Sequence, residues 1–173
     1  MSRSLNDLVP EMKIKAENVR NKCRLNGVDI LIYYTLRSLK EQAILYRQSW
    51  MDSSVVQTKI DSLKAKGFDF LAKILVEVGP QKYTGWVTSA APGESYHNYG
   101  MAIDAVPLKG NEPLWNYKGN EKEWDIYGKA VESEGLTFGG RFKRTYMPHA
   151  QLTSYSNPLR SHTPEEIRKM LKI

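Results

Sequence analysis

The chain has 173 residues, of which 41% are hydrophobic and 25% are charged, a composition typical of one soluble globular domain with its own core. The only cysteine is Cys23, which excludes an internal disulfide framework. No apolar run approaches about 18 residues and no apolar segment follows Met1, so we expect neither membrane insertion nor export by a signal peptide. The net charge of +6 favours anionic partners.

The first half of the chain predicts helices around one strand. In order, we expect a helix over residues 5–25, a buried strand over 28–35, a helix over 39–50, and one or two helices over 53–79. Gly27 supplies the left-handed conformation that ends the first helix. Ser38 and Glu41 have the spacing of a capping box, which starts the next helix just after Arg37. Gly67 is expected to interrupt the last segment.

The second half predicts mostly strands. We expect a short strand over residues 86–89, a turn over 91–93, a surface loop over 107–120, a helix over 121–134, antiparallel strands over 136–142 and 147–152, and a last helix from 164 to 173. Gly135 ends the long helix, and Thr163 caps the last one. The sequence therefore predicts a single α+β domain over residues 1–173, with a small antiparallel sheet flanked by helices.

The most informative spacing lies between Gly93 and Ala105. His97 and Asp104 are seven residues apart, Gly100 between them allows a turn, and the apolar residues 101–103 predict a short strand that leads into Asp104. An imidazole nitrogen and a carboxylate oxygen suit zinc, which takes a third protein ligand and leaves one position open in catalytic sites.

Two histidines remain as candidates for the third ligand. His149 follows Pro148 in a predicted strand, whereas His162 lies in the polar segment 157–162. We therefore favour His149 as the third ligand. The alternative for any single histidine is an ordinary hydrogen-bonded residue, and the pairing of His97, Asp104 and His149 is what favours a metal site on the sheet.

Three motifs in this order have a known counterpart. They are Ser95-x-His97-x-x-Gly100-x-Ala102-x-Asp104, Gly135-Leu136-x-Phe138-Gly139-Gly140, and Pro148-His149. Together they resemble the zinc peptidases of bacterial cell walls, which comprise the VanY-like D-alanyl-D-alanine carboxypeptidases and the L-alanyl-D-glutamate endopeptidases, phage endolysins included. Residues 35–46 resemble the family's segment that carries an arginine and a glutamine near the substrate. The resemblance covers residues 28–152.

The resemblance implies a role for each matching side chain. The zinc ligands would be His97, Asp104 and His149, the cation at the substrate carbonyl would be Arg37, and the substrate-binding neighbours would be Gln42 and Ser95. An arginine at the carbonyl would stabilise the oxyanion of the tetrahedral intermediate, which agrees with the chemistry of an open zinc site.

Tyr146 departs from the family pattern. The family usually has Asp or Glu three residues before the last histidine, where the carboxylate acts as the general base. A phenol, with an ordinary pKa near 10, is a poor base at neutral pH. Zinc or Arg144 could lower the pKa of the phenol, or another acid such as Glu94 could replace it. The alternative to an active enzyme is therefore a catalytically impaired cell-wall-binding or virion structural module of the same fold.

The favoured function is a zinc-dependent peptidase that hydrolyses the L-Ala-D-Glu or D-Ala-D-Ala bond of peptidoglycan stem peptides. Without a signal peptide, we expect a phage or prophage lysin made in the cytoplasm that reaches the cell wall after release by a holin. A monomer is expected. We do not expect a nucleic-acid partner, because residues 141–146 are the only stretch that interleaves basic and aromatic side chains.

Overall fold

The computed structural model describes residues 1–50, 52–155 and 157–173. The α-helices are α1 Pro10–Leu25, α2 Leu39–Gln48, α3 Ser53–Ala65, α4 Asp69–Val78, α5 Glu121–Ser133 and α6 Pro164–Leu171. The strands are β1 Asp29–Tyr34, β2 Ala102–Lys109, β3 Glu112–Pro113, β4 Thr137–Phe138 and β5 His149–Gln151. The predicted α+β class with a small antiparallel sheet is confirmed. Within the described ranges, none of the helices combines the length and apolarity needed to cross a membrane.

The backbone forms two compact units. We call Met1–Leu36 with Gly100–Ser156 the sheet unit, and Arg37–Tyr99 with Asn157–Ile173 the helical unit. In the sheet unit the strands follow the order β1-β2-β5-β4, with β3 paired to β2, and every pairing is antiparallel. Strand β2 is central, and its first six residues are buried.

Helices α1 and α5 cover the sheet and close its core. Helix α1 buries residues at spacings of three and four, the pattern of an amphipathic face. The largest fully buried side chains of this core are Met12, Val19, Ile103, Val106, Trp124, Tyr127 and Val131. Because β2 contributes residues to this core, its position in the unit is fixed by packing on both neighbouring strands and on the helices.

The helical unit is built from α2, α3, α4 and α6. Helix α4 packs against α2 and α3. The predicted capping box of Ser38 and Glu41 is confirmed, and Thr163 with Glu166 forms a second one at the start of α6. The Arg168 guanidinium lies 4.0 Å from the centre of the Phe70 ring, a cation–π contact that ties α6 to α4.

Two predicted elements, the first helix and the strand over residues 86–89, are wrong in extent or kind. The first helix begins at Pro10 rather than Leu5, because proline has no N–H to donate and disfavours helical backbone at the residue before it. Residues 5–7 form a separate 3-10 helix. Residues 86–89 do not form a strand. The N–H groups of Val87 and Thr88 donate to the Ser49 hydroxyl, at 3.1 and 2.9 Å, and not to a strand partner.

Residues 107–152 require two further corrections. Residues 107–109 continue β2, and Glu112–Pro113 returns along them as β3, so the predicted surface loop begins as a hairpin. The antiparallel pair predicted over 136–142 and 147–152 exists, but β4 and β5 contain only two and three residues. Gly139–Arg141 forms a 3-10 helix instead of continuing β4.

Candidate metal centre

Asp104 and His149 meet on neighbouring strands of the sheet unit. They are directly opposite each other in the antiparallel pairing of β2 with β5, where side chains on one face lie close enough to interact. Asp104 is only 2% exposed, and its Oδ1 lies 3.1 Å from Nδ1 of His149. The predicted proximity of these two side chains therefore follows from strand register.

His97 is a buried residue of the helical unit, in the 3-10 helix Tyr96–Tyr99. Its carbonyl accepts a hydrogen bond from the Arg37 N–H at 3.0 Å. The Asn98 side chain accepts from the Gly93 N–H at 3.0 Å and donates to the Arg37 carbonyl at 2.9 Å. Gly93 has φ of +80°, and a Cβ there would lie 2.6 Å from a methyl group of Leu71, so only glycine fits.

The group of His97, Asp104 and His149 could hold one metal ion. Each residue offers one ligand atom, and these atoms all lie within 4.8 Å of one another. Around one tetrahedral zinc ion with ligand distances of about 2.0–2.2 Å, the ligand atoms are roughly 3.3–3.6 Å apart, a spacing that side-chain adjustments of about 1 Å would give. Two imidazole nitrogens and one carboxylate oxygen are a donor set that suits catalytic zinc. The residues present therefore fit the metal that the sequence predicts.

Arg37 and Gln42 form a buried hydrogen-bonded pair in the helical unit. The Arg37 Nη1 donates to Oε1 of Gln42 at 2.9 Å, and the Gln42 Nε2 donates to the Ala90 carbonyl at 2.7 Å. These bonds hold Nη1 of the guanidinium group next to the Gln42 amide. Ser95 is half-buried, and its carbonyl accepts from the Asn98 N–H at 3.0 Å. Their predicted roles toward substrate stay predictions.

Tyr146 lies close to His149 in the sheet unit. The two ring centres are 6.4 Å apart, and the Tyr146 side chain is 48% exposed. Its hydroxyl lies 3.3 Å from that of Tyr33. Burial raises the pKa of Tyr33, and the charge of Asp104 raises that pKa further, so this neighbouring phenol stays protonated at neutral pH.

Gly139 holds the backbone around Tyr146. The Gly139 carbonyl accepts from the Tyr146 N–H at 3.0 Å, and the Tyr146 carbonyl accepts from the His149 N–H at 3.2 Å. A Cβ on Gly139 would collide with the Tyr146 carbonyl and lie 2.8 Å from Cβ of His149. The glycine of the second motif is therefore needed for the close approach of the two chain segments.

Comparisons with known proteins identify the family. Residues 88–152 match a family model described as D-alanyl-D-alanine carboxypeptidase. The peptidoglycan L-alanyl-D-glutamate endopeptidase CwlK of Bacillus subtilis (strain 168) is 30% identical over 153 residues, which are 84% of this chain and 74% of the relative. The chain belongs to the VanY-like zinc peptidase family. It is therefore a peptidase, as the sequence predicts.

Two solved structures resemble this peptidase. The L-Ala D-Glu endopeptidase ChiX of Serratia marcescens matches with a TM-score of 0.45 and 18% identity, covering 88% of this chain and 87% of that one. A VanY D,D-pentapeptidase variant from a VanB-type vancomycin resistance cassette, in complex with Zn(II), matches with a TM-score of 0.46 and 15% identity. That match covers 96% of this chain and 79% of the other.

Glu94, the other acid considered as a base for the peptidase, is engaged in holding the helical unit together. One carboxylate oxygen lies 2.9 Å from Nζ of Lys59 and accepts from Nδ2 of Asn157 at 3.1 Å. The other accepts from the Ala91 N–H at 2.8 Å. Both oxygens of the Glu94 carboxylate therefore have hydrogen-bond donors within the helical unit.

Sequence reasoning missed two residues around the centre. Gln151 accepts from the His149 ring through its Oε1, at 2.9 Å from Nε2, and Asn98 ties the His97 segment to Arg37. The alternation of a strand could have indicated Gln151, since residues two apart share a face. His162 is not a member of the metal-binding group, and its Nδ1 contacts the Pro158 carbonyl at 3.0 Å.

Proposed function

We propose that this peptidase hydrolyses the stem peptides of peptidoglycan with one zinc ion bound by His97, Asp104 and His149. The observation that carries the proposal is the grouping of the three ligand atoms within 4.8 Å in a member of a peptidase family. The net charge of +6 adds support, because a basic protein is attracted to anionic cell-wall polymers.

The chemistry divides between the metal and the chain. Zinc supplies Lewis-acid polarisation of a peptide carbonyl and makes water a nucleophile at neutral pH. Arg37 would donate to the oxygen that gains negative charge, a contribution worth about 10² to 10³ in rate for one oxyanion donor. Gln42 would hold the guanidinium group in place, and Ser95 would contact the peptide backbone next to it.

For the bond that is cut, we propose the L-Ala-D-Glu linkage. The support is the name of the curated relative, whose similarity extends over 84% of the chain. The D-Ala-D-Ala bond is the second candidate, since the family model that matches residues 88–152 carries that description. Both bonds join alanine to a D-residue, so the same metal and arginine chemistry serves either.

Digestion of purified peptidoglycan by the zinc-loaded protein tests the proposal. Cleavage at L-Ala-D-Glu creates new amino-terminal glutamate and leaves alanine at the carboxyl end of the other fragment, whereas cleavage at D-Ala-D-Ala releases free alanine. The Asp104→Ala variant is the control for a contaminating hydrolase. New amino-terminal glutamate that the control does not produce is the expected result, and the absence of both products would overturn the proposal.

We also propose that the peptidase acts as a phage or prophage lysin. This proposal rests on the resemblance to endolysins, and its test is expression in a bacterial host with and without a holin. Lysis that requires both proteins is expected. Lysis without the holin would contradict the predicted route to the wall.

A further inference from the structure

A partly exposed group of aromatic side chains in the sheet unit extends from the metal-binding group to the segment after β3. Tyr146, close to His149, has its hydroxyl 3.3 Å from that of Tyr33. The Tyr33 ring makes edge-to-face contacts with Tyr34 and with Trp115, at 4.9 and 5.3 Å between ring centres. We call Tyr33, Tyr34, Trp115 and Tyr146 the aromatic surface.

Trp115 gives the aromatic surface an open ring face. It is 58% exposed, and an edge-to-face contact with Tyr33 covers at most one face of the indole, whichever ring supplies the edge. Tyr146, at the other end, is 48% exposed. Contiguous exposed aromatic side chains of this kind are typical of a binding site, whereas single exposed apolar residues are ordinary surface.

The backbone on both sides of Trp115 is held by the core of the sheet unit. The indole N–H of the fully buried Trp124 donates to the carbonyls of Leu114 at 2.9 Å and Asn116 at 3.3 Å. The Leu114 N–H donates to the Pro107 carbonyl at 2.9 Å. A ligand therefore meets an aromatic side chain whose backbone is already in place, which lowers the entropic cost of binding.

The aromatic surface suits a sugar ring better than a protein partner. A pyranose has faces of C–H groups that pack on aromatic rings, and hydroxyl groups around its edge that need hydrogen-bond partners. Trp115 supplies a ring face, and the phenol groups of Tyr33 and Tyr146 supply donors and acceptors. A protein–protein interface has an apolar centre, whereas the exposed residues near Trp115 in the chain, Glu112 and Asn116, are polar.

Cleavage of the L-Ala-D-Glu bond places a sugar close to the metal. In peptidoglycan the nitrogen of L-Ala is joined to the lactyl group of a muramic acid residue in the glycan strand. In an extended chain the sugar therefore begins about 7 Å from the L-Ala carbonyl, whereas it begins about 17 Å from the carbonyl of a D-Ala-D-Ala bond. The ring centres of Tyr146 and His149 are 6.4 Å apart, so the aromatic surface starts within the shorter reach.

We propose that the aromatic surface binds the glycan strand next to the stem peptide, with the Trp115 indole stacked on a sugar ring. The position of the sugar relative to the cut bond rests on the proposed function, whereas binding of the sugar itself requires neither zinc nor hydrolysis. The peptidase should then prefer stem peptides that are still attached to glycan over free stem peptides.

Three substitutions separate stacking on Trp115 from a general effect on the segment after β3. Trp115→Ala removes the indole, and Trp115→Tyr restores an aromatic face at the same position. Tyr117→Ala is the matched control, because Tyr117 is an exposed aromatic residue of the same segment and its hydroxyl donates to Asp125 at 3.4 Å. Tyr117 is not part of the aromatic surface.

The first measurement is an NMR titration with a soluble oligosaccharide of alternating N-acetylglucosamine and N-acetylmuramic acid that carries no stem peptide. With four tryptophans in the chain, the indole N–H signals can be assigned by substitution. We expect the Trp115 signal to shift in the parent, and Trp115→Ala to bind about 5- to 30-fold more weakly, as on truncation of an aromatic anchor. Trp115→Tyr and Tyr117→Ala should bind more tightly than Trp115→Ala. A parent that does not bind the oligosaccharide, or equal affinities of the parent and Trp115→Ala, would overturn the proposal.

The second measurement is the ratio of kcat/KM for a glycan-linked stem peptide to kcat/KM for the free stem peptide, with zinc-loaded protein. The ratio should exceed one in the parent and fall about 5- to 30-fold in Trp115→Ala, but not in Tyr117→Ala. An unchanged ratio in Trp115→Ala, or an equal fall in Tyr117→Ala, would overturn the proposal. A parent that cleaves neither substrate would overturn the proposed function, and the NMR titration would still decide the role of the aromatic surface.

Sedimentation velocity of the parent and Trp115→Ala tests a second copy of the chain as the occupant of the aromatic surface. We expect both proteins to sediment as monomers. A parent dimer that Trp115→Ala converts to a monomer would assign the surface to self-association and overturn the proposal.

Discussion

Replacing Tyr146 with aspartate tests where the peptidase transfers the proton of the attacking water. The family usually has a carboxylate three residues before the last histidine, and Tyr146 occupies that position. Aspartate has an ordinary pKa near 4 and is ionised at neutral pH, whereas a phenol with an ordinary pKa near 10 is not. Glu94, the other acid considered, is engaged with Lys59 and Ala91. We therefore expect Tyr146→Asp to hydrolyse peptidoglycan faster than the parent.

Tyr146→Asp should change both the stability of the protein and the rate of hydrolysis. The substitution removes the 3.3 Å contact between the hydroxyls of Tyr146 and Tyr33, which costs about 0.5–1.5 kcal/mol of unfolding free energy. The backbone bonds to Gly139 and His149 do not depend on the side chain, so His149 keeps its place. A positioned general base contributes about 10²- to 10⁴-fold, and the rate should rise by one to several orders of magnitude.

The assay measures release of stem-peptide fragments at equal zinc occupancy, with zinc content determined for every variant. Tyr146→Asn is the matched control, because asparagine has the shape of aspartate without its basicity. Tyr146→Phe shows whether the phenol takes part in the parent, since its loss would then lower the rate. Equal rates for the aspartate and asparagine variants, or a rate for Tyr146→Asp below that of the parent, would refute the placement of the base.

Three further predictions follow from the same structure. His97→Ala and Asp104→Ala should each abolish stoichiometric zinc binding, measured by elemental analysis after dialysis, whereas His162→Ala should retain it. Loss of zinc in His162→Ala together with full zinc content in the other two variants would exclude the proposed ligand set. Arg37→Ala should lower kcat/KM by about 10²- to 10³-fold at unchanged zinc content, and a variant with the activity of the parent would exclude Arg37 from the site. The same substitution should cost about 1.5–3 kcal/mol of unfolding free energy through the lost bond to Gln42. Burial raises the pKa of the Cys23 thiol to about 12, so the native protein should not react with a thiol-specific reagent at about pH 8. Fast labelling without denaturant would contradict the buried position of Cys23.

Local signals in the sequence predicted much of the fold. The capping box at Ser38 and the cap at Thr163 start helices where expected, because the bonds that define them lie within four residues. Residues 86–89 have strand-like composition but bond to the Ser49 hydroxyl. That partner is nearly 40 residues away in the chain, and periodicity carries no information about it.

In the candidate site, too, the sequence indicates residues with local spacing but not the contacts that depend on the fold. His97 and Asp104 stand out because their spacing is local, and the register of β2 with β5 places Asp104 opposite His149. The contacts that orient these ligands depend on the fold: Asn98 reaches Arg37, 61 residues away, and the Gln151 amide is oriented by a loop that lacks regular structure. Residue types alone do not indicate either contact.

Titration of the metal-free peptidase with zinc, followed by hydrolysis of a purified stem-peptide fragment, tests the central claim most directly. If His97, Asp104 and His149 hold the one zinc ion needed for catalysis, activity should rise from near zero to a plateau at one equivalent of zinc per chain, and the His97→Ala variant should stay inactive throughout. Full activity in the metal-free protein, or equal recovery in the His97→Ala variant, would contradict it.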